Sequence, residues 1–263
     1  SLAANQNHSE AQFNLGLIYE EGEYITQDIN KSIHYYSLAA NQNIIEAQLN
    51  IGLIYYEGKY ITRDINKAIH YFSLAANQNN SEAQFILGLI YDEGKHVARD
   101  INKAIHYYSL AANQNYPDAQ FNLGLIYYEG KYVTRDINKV IYYYSLAANQ
   151  NHSEAQFNLG VIYGDNEYIT QDINKSIHYY SLAVYQNHPK AQYNLGKIYY
   201  EGKYITRDIN KAIRYFSLAA NQNIREAQFA LGCFYYNGEC VARDIDKAIH
   251  YLTLAANQNL SKA

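Results

Sequence analysis

Cysteine is scarce in this chain, which has two cysteines among 263 residues and contains no tryptophan or methionine. A disulfide-rich extracellular scaffold needs several cysteine pairs, so the composition argues against that class. We expect Cys233 and Cys240 to be reduced, because nothing in the sequence places their Cβ atoms within bonding distance.

Long apolar runs are also missing. No stretch approaches the roughly 18 to 20 apolar residues that a membrane helix needs, and Ser1 opens no charged-then-apolar export signal. Lys and Arg number 21 against 25 for Asp and Glu, and this net charge of −4 provides no general attraction to nucleic acid or anionic lipid. We therefore expect no membrane or nucleic-acid partner. We favour a cytoplasmic location and leave a secretory lumen open.

The sequence has instead a repeat of 36 residues that runs without insertion, and such a period is typical of stacked helical repeats. The stretch SLAANQN at 1–7 recurs at 37–43, so we expect a fragment that begins in mid-repeat. Residues 1–10 are then the end of a truncated repeat. The predicted domain is one array over 1–263, with units 11–46, 47–82, 83–118, 119–154, 155–190, 191–226 and 227–262.

Each unit predicts two helices, and the first unit illustrates helix A. It is predicted from Ser9 to Glu21, with Ser9 as N-cap and Gly22 as the left-handed residue that ends it. Asn166 replaces that glycine in the fifth unit, because Asn tolerates the same conformation. The predicted apolar face consists of Ala11, Leu15, Ile18 and Tyr19.

A glycine lies in the middle of helix A in every unit, and Gly16 is the first. Gly in a helix interior costs about 1 kcal/mol relative to Ala. A cost repeated in all units indicates a repeated use. We expect close approach of the second helix through its small residues Ala39 and Ala40.

Helix B is predicted to begin after Asp28, whose side chain suits the N-cap. We expect Asn43 to form the turn at its carboxyl end. The predicted buried face consists of Ile29, Ser32, Ile33, Tyr35, Tyr36, Ala39 and Ala40.

This pattern resembles the Sel1-like repeat, a relative of the tetratricopeptide repeat. The matching positions in the first unit are Ala11, Leu15, Gly16, Tyr19, Gly22, Asp28, Lys31, Tyr35, Tyr36, Ala39 and Ala40. The chain departs from the family pattern at three positions: Tyr24 and Asn43 stand where the family usually has Gly, and Tyr35 where it often has Trp.

The resemblance implies an all-α fold, a right-handed αα-superhelix (solenoid) of seven 36-residue helix-turn-helix repeats, with the A helices on the concave side. Members of the family look like adaptors that assemble protein complexes. We therefore predict a non-catalytic scaffold that binds a protein or an extended peptide on the concave helix-A face. Two alternatives stay open: a regulatory arm that activates an enzyme or a fused catalytic domain, and a hydrolase.

The candidate binding face is a ladder of Asn amides beside Tyr side chains, which can hydrogen-bond an extended peptide backbone and pack against its side chains. The alternative is that the apolar neighbours Phe13 and Leu17 only pack one A helix against another. The candidates are Asn14, Asn50, Asn122, Asn158, Asn194, Tyr56, Tyr128 and Tyr200.

The sixth unit adds two cations to this face. Lys190 replaces an acidic residue and Lys197 replaces an apolar one, and the two lie seven residues apart on one helix face. They are suited to capture a carboxylate or phosphate of a bound chain. The alternative is drift in one duplicated copy.

Other polar series are not predicted to form sites. Equivalent positions in packed helices lie about 10 Å apart, whereas metal ligands all lie about 2 Å from one ion, so the helix-B histidines are expected to be exposed. We expect the Arg series to pair locally with neighbouring Asp residues. No catalytic or phosphate-binding motif is found, so no catalytic residue, metal or cofactor is predicted. Apolar faces at both ends favour end-to-end association of the fragment.

Overall fold

The computed structural model describes residues 8–23, 25–165, 167, 169–238 and 240–258. Within these residues every regular element is an α-helix, and the predicted all-α repeat fold is confirmed. The helices fall into two compact bodies, residues 1–136 and 137–263, which are described separately.

The first body contains α1 (Ser9–Glu21), α2 (Ile29–Ala40), α3 (Ile45–Glu57), α4 (Ile65–Asn77), α5 (Ser81–Glu93), α6 (Ile101–Asn113) and α7 (Pro117–Glu129). The second contains α8 (Ile137–Asn149), α9 (Ser153–Gly164), α10 (Ile173–Tyr185), α11 (Pro189–Glu201), α12 (Ile209–Asn221), α13 (Arg225–Asn237) and α14 (Ile245–Asn257). Odd-numbered helices are helix A of a repeat and even-numbered helices are helix B. The predicted bounds of helix A in the first unit are confirmed.

Helix B begins where the sequence predicts, and in every repeat but the fourth the structure shows an aspartate capping it. Asp28 has an extended backbone, and its carboxylate accepts the Lys31 backbone N–H at 3.0 Å. These bonds lower the pKa of Asp28, since a carboxylate that accepts a backbone N–H is stabilised in its charged form. The same cap precedes α4, α6, α10, α12 and α14.

The predicted cap of helix A was wrong by one position. The N-cap of α1 is His8 and not Ser9, and the His8 Nδ1 accepts the Ala11 backbone N–H at 3.3 Å. Neutral imidazole has an acceptor nitrogen, so histidine can take the place of Asn or Asp here. Asn80, His152 and His188 cap α5, α9 and α11 in the same way.

The carboxyl ends of both helices are confirmed as left-handed turns. Gly22 ends α1 with φ 66°, and Asn43 follows α2 with φ 63°. Asn tolerates this conformation, which explains its use in place of the family's glycine. Asn166 lies outside the described residues.

The mid-helix glycine makes room for an aromatic ring rather than for small residues. A Cβ atom added to Gly16 would lie 2.4 Å from the Tyr36 ring, and one added to Gly52 would lie 2.5 Å from Phe72. The prediction that Ala39 and Ala40 meet Gly16 was therefore wrong. Those two residues are buried with Ala47 and Ile51 of the next repeat.

The core forms where helix B of one repeat meets helix A of the next. Tyr36 is fully buried in a cluster that includes Ile51 and Ile54. One predicted core residue, Ile18, is 45% exposed, whereas its equivalent Ile54 is buried. Hence the periodicity identifies the correct helix face, but the extent of burial depends on what packs against each copy.

A buried glutamine lies at every described junction between repeats in the first body, although hydropathy alone predicts an exposed position for such residues. Gln48 is 1% exposed, and its Nε2 donates to the Ala40 carbonyl oxygen at 3.1 Å. Its Oε1 accepts from Gln78 Nε2 at 2.8 Å, thirty residues along the chain. Because both polar ends are satisfied, the amide links three successive helices and carries no desolvation penalty.

Candidate functional site

The predicted ladder of Asn amides on the A helices is partly used inside the protein. Asn50 Nδ2 donates to the buried Tyr36 hydroxyl at 3.1 Å, and Asn194 Nδ2 donates to the Tyr180 hydroxyl at 2.9 Å. Asn122 and Asn158 are half-buried and Asn14 is exposed. A role of these amides in peptide binding remains a prediction, and two of them already have structural partners.

In the first repeat, Tyr36 joins Glu20 and Asn50 in a chain of hydrogen bonds. The Tyr36 hydroxyl donates to Glu20 Oε2 at 2.6 Å while it accepts from Asn50. Burial, followed by the neighbouring Glu20 carboxylate, raises the pKa of Tyr36. In the third repeat burial, followed by the Asp92 carboxylate, again raises the pKa of Tyr108, but its buried hydroxyl has no hydrogen-bond partner in the described structure.

Where phenylalanine replaces the tyrosine, the next helix A loses its amide. Phe72 is fully buried, and Ile86 occupies the position that corresponds to Asn50. In the second body Phe216 is buried and Ala230 stands at that position. The chain therefore matches the polarity of the two residues that meet at each of these junctions.

The predicted tyrosines occupy one position of helix A in alternate repeats, and all three are half-buried. Tyr56 meets Phe72 edge-on at 6.2 Å between ring centroids. Tyr200 packs against Phe234 at 5.0 Å, and the Arg207 guanidinium lies 5.0 Å from its centroid. Tyr128 has Arg135 above its ring at 5.8 Å. These rings help to pack the repeats and keep one edge accessible.

Both predicted lysines are exposed on α11. Lys197 Nζ lies 3.7 Å from Glu201 on the next turn of the helix. An exposed pair of this kind contributes little to stability, so neither partner is held firmly. Among the A helices, basic residues occur only in α11, which carries Lys190 and Lys197, and in α13, which carries Arg225.

An apolar cavity of about 740 Å³ lies in the second body beside Lys197 and Tyr200, so the structure brings these two predicted residues together. Phe229 on α13, in the last repeat of the sequence, is 58% exposed there, whereas the equivalent Phe85 and Phe157 stack on Tyr116 and His188 of the repeat that follows. The A helices contribute Tyr193, Lys197, Tyr200, Phe229, Cys233 and Phe234 to the lining, and the B helices contribute Phe216, Leu252, Ala255 and Ala256.

A second cavity of about 230 Å³, which we call the Gly164 notch, was not predicted from the sequence. Its lining includes Gly164, Ser176, Tyr180, Asn194, Lys197 and Lys203. The signal was present in the repeat alignment, because Gly164 stands where the other units have Glu20, Tyr56, Asp92, Tyr128, Tyr200 and Tyr236. Burial raises the pKa of the Tyr180 hydroxyl at the notch to about 12.

Among the described residues, Arg63 and Arg99 do not form the predicted pairs with the aspartates that follow them. Those aspartates cap helix B and pair with lysines, as Asp64 does with Lys67 at 3.6 Å. Arg63 instead donates to the Glu57 carbonyl oxygen at 3.1 Å and reaches His96 in the next loop at 3.1 Å. Arg99 pairs with Asp92 at the end of α5.

The predicted exposure of the helix-B histidines is confirmed for His34, His70, His106, His178 and His250. Cys233 and Cys240 are both free, as expected. In the described part of the chain no three His, Cys, Asp or Glu side chains are grouped as metal ligands. No helix among those described combines the length and the apolar character that membrane crossing requires.

Comparison with known proteins adds the family to this geometry. No curated protein gives a significant match. A protective antigen present in uropathogenic Escherichia coli strains, displaying an SLR fold, is 32% identical with a TM-score of 0.90 over 97% of this chain and 55% of that one. A Sel1 repeat protein from Oxalobacter formigenes is 32% identical with a TM-score of 0.81 over 98% of this chain and 77% of that one.

The chain thus spans little more than half the length of the Escherichia coli antigen. The Sel1 repeat itself matches seven times in tandem, and the matches cover nearly all of the described residues. They fall at residues 9–44, 45–80, 81–116, 117–152, 153–188, 189–224 and 225–260. The chain therefore belongs to the Sel1 repeat family.

Proposed function

We propose that this chain is a non-catalytic scaffold that binds a protein or peptide partner on its helix-A face. The family generally mediates protein–protein interaction, and the observation that supports a particular surface is the apolar cavity beside Lys197. Exposed aromatic side chains around a concave apolar surface, with a few charged groups at the rim, are typical of peptide-binding sites.

The second body provides the better-defined part of this surface. Phe229 is 58% exposed and Tyr200 keeps one edge free, and both line the cavity. Lys197 and Arg225 provide cations in the lining of the cavity, although Glu201 and Glu226 pair with them at 3.7 and 3.2 Å, and Lys190 lies further along α11, outside that lining. These ion pairs are exposed and can exchange for contacts with a partner at small cost.

The test uses affinity capture by the whole array, with captured proteins identified by mass spectrometry. The variant F229A removes the exposed aromatic ring, and I249A is the matched control because Ile249 is 59% exposed on helix B. We expect F229A to reduce recovery of a specific partner at least tenfold and I249A to leave recovery unchanged. Equal recovery with both variants would contradict binding at this face.

A second pair of variants tests the cations. The double substitution K190E/K197E reverses both charges on α11, and K103E on α6 is the control on helix B. We expect the double variant to capture less of an acidic partner than the wild-type chain does. Capture by the wild-type chain should fall as the salt concentration rises, whereas capture by the double variant should not change with salt. A loss of capture with K103E as well would indicate a general charge effect and not a site.

A further inference from the structure

The Gly164 notch has a template within the same chain, in the first repeat. There the Glu20 carboxylate accepts a hydrogen bond of 2.6 Å from the Tyr36 hydroxyl, and Asn50 Nδ2 donates to that hydroxyl from the next helix A at 3.1 Å. Ser32 lies fully buried on the same helix as Tyr36. Four side chains thus mark this position in the first repeat. Three of them are joined by hydrogen bonds and include a carboxylate, and the fourth, Ser32, has no hydrogen-bond partner for its Oγ.

Three of the four side chains recur in the fifth repeat. Tyr180 and Asn194 are hydrogen-bonded at 2.9 Å, and Ser176 occupies the position of Ser32, with its Oγ donating to the Gly160 carbonyl oxygen at 2.7 Å. Gly164 stands in place of Glu20, and the cavity of about 230 Å³ lies at this position. Gly164 therefore leaves the position of the template's carboxylate without a side chain. A Cβ atom added there would lie 2.8 Å from the Ser176 Oγ, so this hydroxyl must shift for either Glu or Gln at position 164.

The charges around the notch are mixed. Lys197 and Lys203 belong to its lining, and so do Asp165 and Glu201. Glu201 is paired with Lys197 at 3.7 Å, and both side chains are about half exposed. Charge alone therefore does not choose the ligand. The choice comes from the buried Tyr180 hydroxyl, which can donate to a carboxylate as Tyr36 does to Glu20.

We infer that the Gly164 notch receives the carboxylate of a Glu or Asp side chain from a bound peptide, with the Tyr180 hydroxyl as donor and Lys203 or Lys197 as counter-charge. This inference rests on the proposed function, because the carboxylate comes from the partner that occupies the helix-A face. Lys197 and Glu201 line both the notch and the apolar cavity. A peptide with its acid in the notch therefore places a neighbouring side chain near Tyr200 and Phe229.

The first experiment needs no peptide. Replacing Gly164 by Glu puts the template's own carboxylate into the notch, and replacing it by Gln adds a side chain of the same length and helix propensity without the charge. We expect G164E to unfold about 2–4 °C above G164Q at pH 7, and the difference to vanish near pH 3, where the carboxyl is protonated. G164E at or below G164Q at both pH values would overturn the carboxylate preference of the notch.

The second experiment uses a phage-displayed library of random decapeptides, selected on the whole chain. Selected peptides should share a Glu or Asp next to an aromatic or aliphatic residue. Binding of a selected synthetic peptide, measured by fluorescence anisotropy, should weaken at least tenfold when its acid becomes the amide. It should weaken similarly in Y180F, a change that folds because repeats two and six carry Phe there, and in G164E, where the notch is filled.

The control is N174A on the exposed face of α10, which should leave the peptide affinity unchanged. Two further outcomes separate the two proposals. Selected peptides that need Phe229 but tolerate the acid-to-amide change, Y180F and G164E would overturn the notch inference and leave the proposed function standing. Peptides whose affinity is insensitive to F229A and to all notch variants would overturn both.

Discussion

The first two hairpins of the chain both pack an aromatic ring on the helix-A glycine, but the ring is polar in one hairpin and apolar in the other. In α1 and α2 a tyrosine lies on the helix-A glycine, and its hydroxyl is satisfied by Glu20 and Asn50. In α3 and α4 a phenylalanine, Phe72, lies on Gly52, and Tyr56 and Ile86 take the places of the two polar partners.

This difference teaches that a ring beside the glycine can have either polarity, provided that the neighbours change with it, and in the last hairpin Leu252 takes the place of the ring beside Gly232. A buried hydroxyl without a partner costs about 1–3 kcal/mol, whereas a ring surrounded by apolar groups carries no such cost. The glycine stays the same in both hairpins because the space for the ring is a steric requirement. The polar partners vary because they are needed only where the ring carries a hydroxyl group.

The largest effect is expected from a change that both hairpins should resist equally. Substituting Gly16 or Gly52 by Val places Cβ within about 2.5 Å of the ring carbons of Tyr36 or Phe72, so the two helices must separate. We expect either variant to lose about 3 kcal/mol or more of unfolding free energy, measured by urea denaturation. N30A on the exposed face of α2 is the control. A loss confined to one hairpin would show that the glycine serves only one of the two chemistries.

Alkaline pH should separate the two kinds of hairpin. Burial raises the pKa of Tyr180 to about 12, above the ordinary value of about 10, so the folded state favours the neutral hydroxyl. Its stabilising contribution is complete below pH 10 and is lost as pH rises through 12. At about 1.4 kcal/mol per pKa unit the loss approaches about 3 kcal/mol.

Urea midpoints at pH 9 and pH 12 check this expectation, with Y180F as the matched variant. Y180F should lose less stability than the wild-type chain between the two pH values, because its ring does not ionise. An equal loss in both proteins would show that the Tyr180 hydroxyl is not protected from ionisation.

Adding or removing the hydroxyl of a single ring should have a smaller effect on stability, and the two changes should differ in size. F72Y introduces a hydroxyl beside Ile86 and should cost about 1–3 kcal/mol, because the group is buried without an amide partner. Y36F should cost only about 1 kcal/mol, since Glu20 and Asn50 are half-exposed and can turn to water. Urea denaturation of the two single variants compares the costs, and a larger loss for Y36F than for F72Y would contradict the polarity match.

The smallest effect is expected at the helix-B caps, which both hairpins share. D28A and D64A should each destabilise the chain slightly at neutral pH, because each removes the side-chain cap of a helix B. Backbone N–H donation lowers the pKa of Asp28, so its contribution is present above about pH 4 and is lost as pH falls through the lower folded value. D28A should therefore differ from the wild-type chain at pH 7 and converge with it near pH 2 in urea titrations.

The helices could be predicted from the sequence because their signals are local. The period of 36, the Asp28 cap and the left-handed Gly22 and Asn43 each depend on a few neighbouring residues. The contacts across repeats could not be predicted in the same way. Gln48 looks polar and exposed by hydropathy, yet its bond to Gln78 spans thirty residues and buries it.

The candidate site was predicted only in part for the same reason. Lys197 and Tyr200 were chosen because they lie on the predicted face of helix A, and in the structure both line one cavity. Their role in binding stays a prediction. The Asn ladder was assigned to a partner because a sequence does not show that the Tyr36 hydroxyl lies across from Asn50. Gly164 was overlooked because its missing side chain can be recognised only by comparison with the equivalent position of the other repeats, where a side chain is present.

The polarity match between Phe72 and Ile86 can be tested most directly by a double-mutant cycle, in which the unfolding free energies of F72Y, I86N and the double variant are measured against the wild-type chain. The expected result is that F72Y and I86N each destabilise, and that the double variant recovers about 1–3 kcal/mol relative to the sum of the two losses, because the new amide donates to the new hydroxyl as Asn50 does to Tyr36. Additive losses, with no recovery in the double variant, would contradict the claim that each junction is specified by matched partners.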